Sequence, residues 1–192
     1  MKFRNGNQSD ATNLALILDA AGRRIPAFFW SQYAASGQSF FEFGREKIRN
    51  EPETGSYCEK WCVGEINSEL AGAFFGFFVE DPYPEIDYAN EPAWWVRFLE
   101  LEKMAAGSWL LQAISILPEY RGQGLASHFL SKADEVAKAK GAKKITLQVE
   151  EINQIAVKTY IKHGYSEMGR RKLIPVSFCD DAGDIILMGK SF

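Results

Sequence analysis

"LLQAISILPEYRGQGLASHFLSKADEVAKAKG" occupies residues 110–141. With Trp109 in front, its first part reads as a strand over 109–116. Its second part reads as a helix over 122–140, with Leu125, Phe129, Leu130, Ala133, Val136 and Ala137 on one side. Gly141 is the natural stop. Between them lie Arg121, Gly122 and Gly124. The first turn of a helix carries N–H groups with no intrahelical partner, and the macrodipole adds partial positive charge there. Bare glycine backbone lets a ligand come close, and arginine supplies a permanent forked charge. The stretch is built as a seat for a pyrophosphate.

Several ligand classes use such a seat. A P-loop needs Lys-Ser or Lys-Thr after its last glycine, and Leu125-Ala126 stands here instead. A dinucleotide fingerprint fits in part, since "GQGLAS" holds two of its three glycines and Glu150 ends the next strand. Ser127 takes the place of the third glycine, and residues 117–121 separate strand from glycine where that fold has a tight turn. A dinucleotide-dependent oxidoreductase therefore stays as an alternative.

The flanking sequence is mixed α/β. "FRNG" reads as a short first strand, and "SDATNLALILDAAG" as a helix capped by Ser9. "PAFFWSQYAASG" reads as a second helix from Pro26 to Gly37, with further helix over 40–50. "KWCVGEI" and "LAGAFFGFFV" flank the turn "NSE" as a hairpin. "KKITLQVE" (143–150) alternates as a strand. Asn153 caps a helix running to Gly164, and "YSEMGRRKL" and "DIILMGK" close the chain as strands. Residues 81–107 break the pattern as an insertion of roughly twenty-five residues, with a short helix around 92–103.

The chain has 192 residues, 46% of them apolar, and a net charge of −3. That supports one domain over 1–192 with a core of its own. No basic block tracks a nucleic-acid backbone, so no nucleic-acid partner is expected. "MKFRNGNQSD" is polar, and "AGAFFGFFV" is too short to span a bilayer, so a cytoplasmic protein without a membrane partner is expected. Cys58, Cys62 and Cys179 lack the spacing of a disulfide framework, and His128 and His163 are too few to suggest zinc. No metal is expected.

"PEYRGQGLA" resembles the acyl-CoA signature Q/R-x-x-G-x-G/A of the GNAT N-acetyltransferase superfamily, through Arg121, Gly124 and Ala126. "LQVEEINQIAVKTYIKHGY" is similar to the family's downstream pattern, through Asn153, Ala156, Tyr160 and Gly164-Tyr165. The resemblance implies a GNAT-type mixed, partly splayed β-sheet flanked by helices. It implies acetyl-CoA as co-substrate, with the pantetheine arm along Ile114, Ser115 and Ile116. The pyrophosphate would lie on the N–H groups of Arg121, Gly122, Gln123, Gly124, Leu125 and Ala126, with Ser127 beside them as a further cofactor contact and Asn153 near the pantetheine. Such folds can also pair through their sheets as a homodimer.

Direct acetyl transfer to an amine-bearing substrate is the activity the resemblance implies, with Tyr160 as both cofactor contact and general acid. A phenol's reference pKa is near a thiol's, so it can return a proton to sulfur. Strand N–H groups near Ile116 and Leu117 can serve the oxyanion. Many members place a glutamate where Gln112 aligns, and an amide cannot take a proton. Glu100 and Glu102 are the nearby acids. Trp94, Trp95, Tyr83 and Tyr88 can line an acceptor pocket or pack as a lid. Asp81, Glu85, Asp87 and Glu91 would favour a cationic acceptor if they face it. A catalytically silent acyl-CoA sensor on the same fold is the other alternative.

Overall fold

The computed structural model describes residues 1–176 and 183–192, so Cys179 lies outside the described residues. Cys58 and Cys62 are thiols, the first buried.

Seven strands form one open mixed sheet in the order β1-β2-β3-β4-β5-β7-β6, with helices on it. In chain order the elements are β1 (Lys2–Asn5), α1 (Ala11–Ala21), α2 (Ile25–Tyr33), α3 (Phe40–Asn50), β2 (Cys62–Ile66) and β3 (Glu69–Phe78). Then come α4 (Ala93–Met104), β4 (Trp109–Ile116), α5 (Leu125–Ala139), β5 (Lys144–Glu150), α6 (Gln154–Lys162), β6 (Ser166–Lys172) and β7 (Asp184–Ser191). This is the expected mixed α/β order, and the chain divides into two compact units.

The first unit holds Met1–Gly76 and Ala113–Phe129. Its core gathers Leu14, Ile17, Trp30, Ile48, Trp61, Val63 and Phe75 under α1–α3. The hairpin turn expected at "NSE" is made by Asn67 and Ser68, both at positive φ (51° and 67°), as two-residue hairpin turns require. The first helix is entered differently from the expectation. Asn7, not Ser9, caps a 3₁₀ turn over Gln8–Asp10 that leads into α1: its side chain accepts from the Ser9 N–H while Asp10 accepts from the Asn7 N–H. Asp10 wins this role because it also takes both terminal nitrogens of Arg4, at 2.7 and 2.9 Å. Helix α2 stops at Tyr33, short of Gly37, because Ala34 turns extended (φ −62°, ψ 134°).

Gly64 and Gly72 sit opposite each other on β2 and β3. A Cβ at Gly64 would come within 2.5 Å of the Phe129 ring, and one at Gly72 within 2.9 Å. The two bare positions form a notch for that ring. It also meets Phe3 edge-on at 5.3 Å. Phe129 thereby sets the height of the first turn of α5 over the strands.

The second unit holds Phe77–Gln112 and Leu130–Phe192. Val79, Leu101, Ala105, Leu110, Ile185 and Leu187 are its core. Strands β4 and β5 run parallel through Trp109↔Ile145 and Leu110↔Thr146. Beyond Thr146, β5 continues on its other edge, antiparallel to β7, as far as Glu150↔Ile185. Helix α4 follows Pro92, and the Gln148 side chain on β5 donates to the carbonyl of Phe98 at 3.1 Å. No helix among the described residues is long and apolar enough to cross a membrane.

Candidate active site

The residues expected to hold the pantetheine arm on β4 and the pyrophosphate, 114–116 and 121–127, all lie in the first unit. Ile114, Ser115 and Ile116 end β4, half-buried. Leu117 donates its N–H to the Ala71 carbonyl, and a 3₁₀ turn over Pro118–Tyr120 follows. Arg121 folds back so that its Nε donates to the Ile116 carbonyl at 2.9 Å. Gly122 and Gly124 take φ of 76° and 74°, with open space where a Cβ would stand. Helix α5 therefore begins at Leu125 and not at 122, because left-handed backbone cannot enter a right-handed helix. Leu125, Ala126 and Ser127 make its first turn, and the Ser127 N–H reaches the Gly124 carbonyl at 3.3 Å. The N–H groups of the turn and of Leu125 and Ala126 precede the reach of any intrahelical carbonyl. Gln123 is exposed and bonds weakly to the Glu119 carbonyl at 3.4 Å. At the rim, the Tyr120 hydroxyl donates to Glu69 at 2.7 Å. The arrangement offers several N–H groups and a guanidinium to an anion.

The remaining candidates, apart from His128, lie in the second unit. Asn153 caps α6, its side-chain oxygen accepting from the Ala156 N–H at 3.3 Å. Tyr160 stands in the last turn of α6, half-buried, and burial pushes its phenol up to about 12. Its ring meets that of Tyr165 at 5.8 Å. Gln112 is exposed on β4. Glu100 is taken by Arg171 at 2.6 Å, with Arg97 at 3.5 Å. Burial pushes Glu102 up, against the Tyr83 hydroxyl, which donates to it at 3.1 Å. Trp94, Trp95 and Phe98 cluster on α4, with Trp95 stacked on Phe98 at 5.3 Å. Asp87 caps the short turn that holds Tyr88. Asp81 and Glu85 are exposed and Glu91 half-buried. His128 lies exposed on α5, and His163 ends α6. Among the described residues no group of three His, Cys, Asp or Glu side chains is placed to hold a metal ion.

Sequence reading did not reach Asp134 and Lys190. Lys190 on β7 pairs with Asp134 on α5 at 2.6 Å and also donates to the His163 carbonyl at 3.0 Å.

The model of the acetyltransferase (GNAT) family matches residues 28–165, which takes in both motif blocks. The chain belongs to the GNAT acetyltransferase family. The dinucleotide reading of "GQGLAS" gives way to it. A curated relative, the putative [ribosomal protein bS18]-alanine N-acetyltransferase of Bacillus subtilis (strain 168), is 28% identical over 149 residues, covering 72% of this chain and 83% of the relative. Among solved GNAT-like folds, an N-acetyltransferase from Staphylococcus aureus Mu50 has a TM-score of 0.66 at 14% identity, covering 99% of this chain and 100% of that one. The paia N-acetyltransferase from Thermoplasma acidophilum, solved in complex with coenzyme A, has a TM-score of 0.59 at 16% identity, covering 100% and 98%.

Proposed function

We propose that this acetyltransferase passes the acetyl group of acetyl-CoA directly to a primary amine. The observation that carries the reading is the turn over 117–124, where two left-handed glycines open onto the first turn of α5 beside Arg121. In the proposed reaction the amine lone pair attacks the thioester carbon. The C–S bond breaks, and the thiolate takes its proton from the Tyr160 phenol. The proton lost from nitrogen leaves to water, since Gln112 cannot accept it and Glu100 is tied to Arg171. The family match from 28 to 165 reaches both sides of 81–107, which supports reading the chain as one catalytic domain over 1–192. The curated relative's name supports trying a peptide with an N-terminal alanine as acceptor.

A thermal-shift panel of acetyl-CoA, CoA and NAD tests the seat. At about a hundred times its Kd a ligand adds roughly 2.7 kcal/mol. Stabilisation by acetyl-CoA and CoA but not NAD is expected, followed by thiol release with the alanyl peptide or a small primary amine. A protein stabilised by none of the three, and purified without bound CoA, overturns the reading.

A further inference from the structure

Tyr160 does not stand alone at the end of α6. The helix closes in a Schellman motif: the Tyr165 N–H bonds back to the Tyr160 carbonyl at 3.1 Å, and the Gly164 N–H to the Ile161 carbonyl at 2.9 Å. Gly164 supplies the left-handed residue, at φ 84°. The apolar contact that accompanies such motifs is here the Tyr160–Tyr165 ring pair. Tyr165 is almost wholly buried, at 3% exposure. So the backbone and the ring of Tyr160 are both set by where residues 163–165 sit.

One side chain holds that segment from outside the helix. The Lys190 ammonium donates to the His163 carbonyl, lies 4.7 Å above the centre of the Tyr165 ring, and is held by Asp134. Its three donors thus meet a helix-end carbonyl, a π face and a carboxylate. A cation at a helix C-terminus also answers the macrodipole. The other Asp134 oxygen, His163 Nε2 and the Tyr165 hydroxyl are buried without a hydrogen-bond partner. The ammonium is therefore the group that compensates Asp134 there.

We infer that Lys190, anchored by Asp134, is a positioning residue for Tyr160: it fixes the end of α6 and, through Tyr165, the place of the phenol. The inference rests on the reading of Tyr160 as the acid. Displacing a reacting group by about 1 Å can cost on the order of a hundredfold in rate. Nothing in this role touches the phosphate seat, so acetyl-CoA binding should be spared.

The test uses the full chain labelled with 3-fluorotyrosine, the Tyr160 signal being assigned by its loss in Tyr160→Phe. Lys190→Met alone leaves Asp134 buried and unpaired, so Lys190→Met is combined with Asp134→Asn. The expected result is a shifted and broadened Tyr160 signal, with unchanged acetyl-CoA affinity and recovery in Lys190→Arg. With acetyl-CoA and the alanyl peptide, kcat should fall roughly tenfold at unchanged KM for acetyl-CoA, and the same change in a Tyr160→Phe background should add no loss. If Tyr160→Phe keeps wild-type turnover, the acid reading fails, while the fluorine signal still decides the positioning. A wild-type Tyr160 signal in the folded double variant overturns the inference.

Discussion

The Arg121 Nε donates to the Ile116 carbonyl across the turn that leaves β4. One donor of the guanidinium is spent on the protein, and its terminal nitrogens remain for a ligand. The residue is both clasp and charge, and the two roles separate by substitution. Arg121→Lys keeps the charge but not the fork, and Arg121→Gln keeps neither. Each should weaken CoA binding by roughly tenfold, and Arg121→Glu by on the order of a hundredfold or more. Added salt should weaken wild-type binding more than that of Arg121→Gln. Calorimetric titration at two ionic strengths checks both. Wild-type affinity in folded Arg121→Glu would move the phosphate seat elsewhere.

Two glycines of the first unit should respond in opposite ways. Gly124 has left-handed backbone and open space around it. Gly124→Asp should cost only about 1 kcal/mol of stability, yet remove most CoA affinity by setting a carboxylate against phosphate. Gly72 has strand neighbours instead, and an added Cβ would stand 2.7 Å from the Ser115 carbonyl oxygen. That oxygen is backbone and cannot swing away. Gly72→Ala should cost about 1–3 kcal/mol. Thermal melts with and without CoA give both numbers, and a Gly72→Ala protein as stable as wild type would contradict the close packing.

Periodicity made the strands and helices of this chain legible, and residue chemistry singled out the turn over 121–127 as the candidate seat. "KKITLQVE" alternates and became β5; Leu125, Phe129 and Ala133 recur at helical spacing on α5. Apolar spacing puts the start of α5 at 122, three residues early, because it carries no information about φ, and only φ excludes Gly122 and Gly124 from the helix. The signal for Asn7 as a cap is Asp10 three residues on, the spacing of a capping box, which the hydroxyl of Ser9 masks. The notch at Gly64 and Gly72 announces a close approach, but its occupant, Phe129, is known only from the fold. Lys190 and Asp134 lie 56 positions apart, and no local pattern joins them.

Burial pushes the Tyr160 phenol up to about 12, so it stays protonated through neutral and mildly alkaline pH. Its acid role should therefore put no falling limb in the kcat profile below about pH 10. The linkage has the same sign. A group whose folded pKa is raised lends stability below its unfolded value, near 10, and that stability is lost as pH rises towards 12. Tyr160→Phe should lower kcat by on the order of a hundredfold, spare CoA binding, and lose less stability than wild type between pH 10 and 12. An unchanged kcat would remove Tyr160 as the acid.

The Ser108 and Thr146 hydroxyls meet at 2.7 Å, both fully buried, beside the two residue pairs that join β4 to β5. Ser108 also reaches the Ala105 carbonyl at 2.6 Å. A hydroxyl has one proton to give. Ser108 gives its proton to Ala105, so Thr146 must donate to Ser108. The two deletions are then unequal. Thr146→Val removes a donor and leaves Ser108 still bonded to Ala105, at about 1 kcal/mol. Ser108→Ala strands the Thr146 proton, at about 2 kcal/mol, while the Ala105 carbonyl keeps the Ser108 backbone N–H at 3.0 Å. Urea unfolding of the two variants ranks them. The reverse order would mean that the proton runs from Ser108 to Thr146 and that the Ser108 backbone N–H alone satisfies the Ala105 carbonyl.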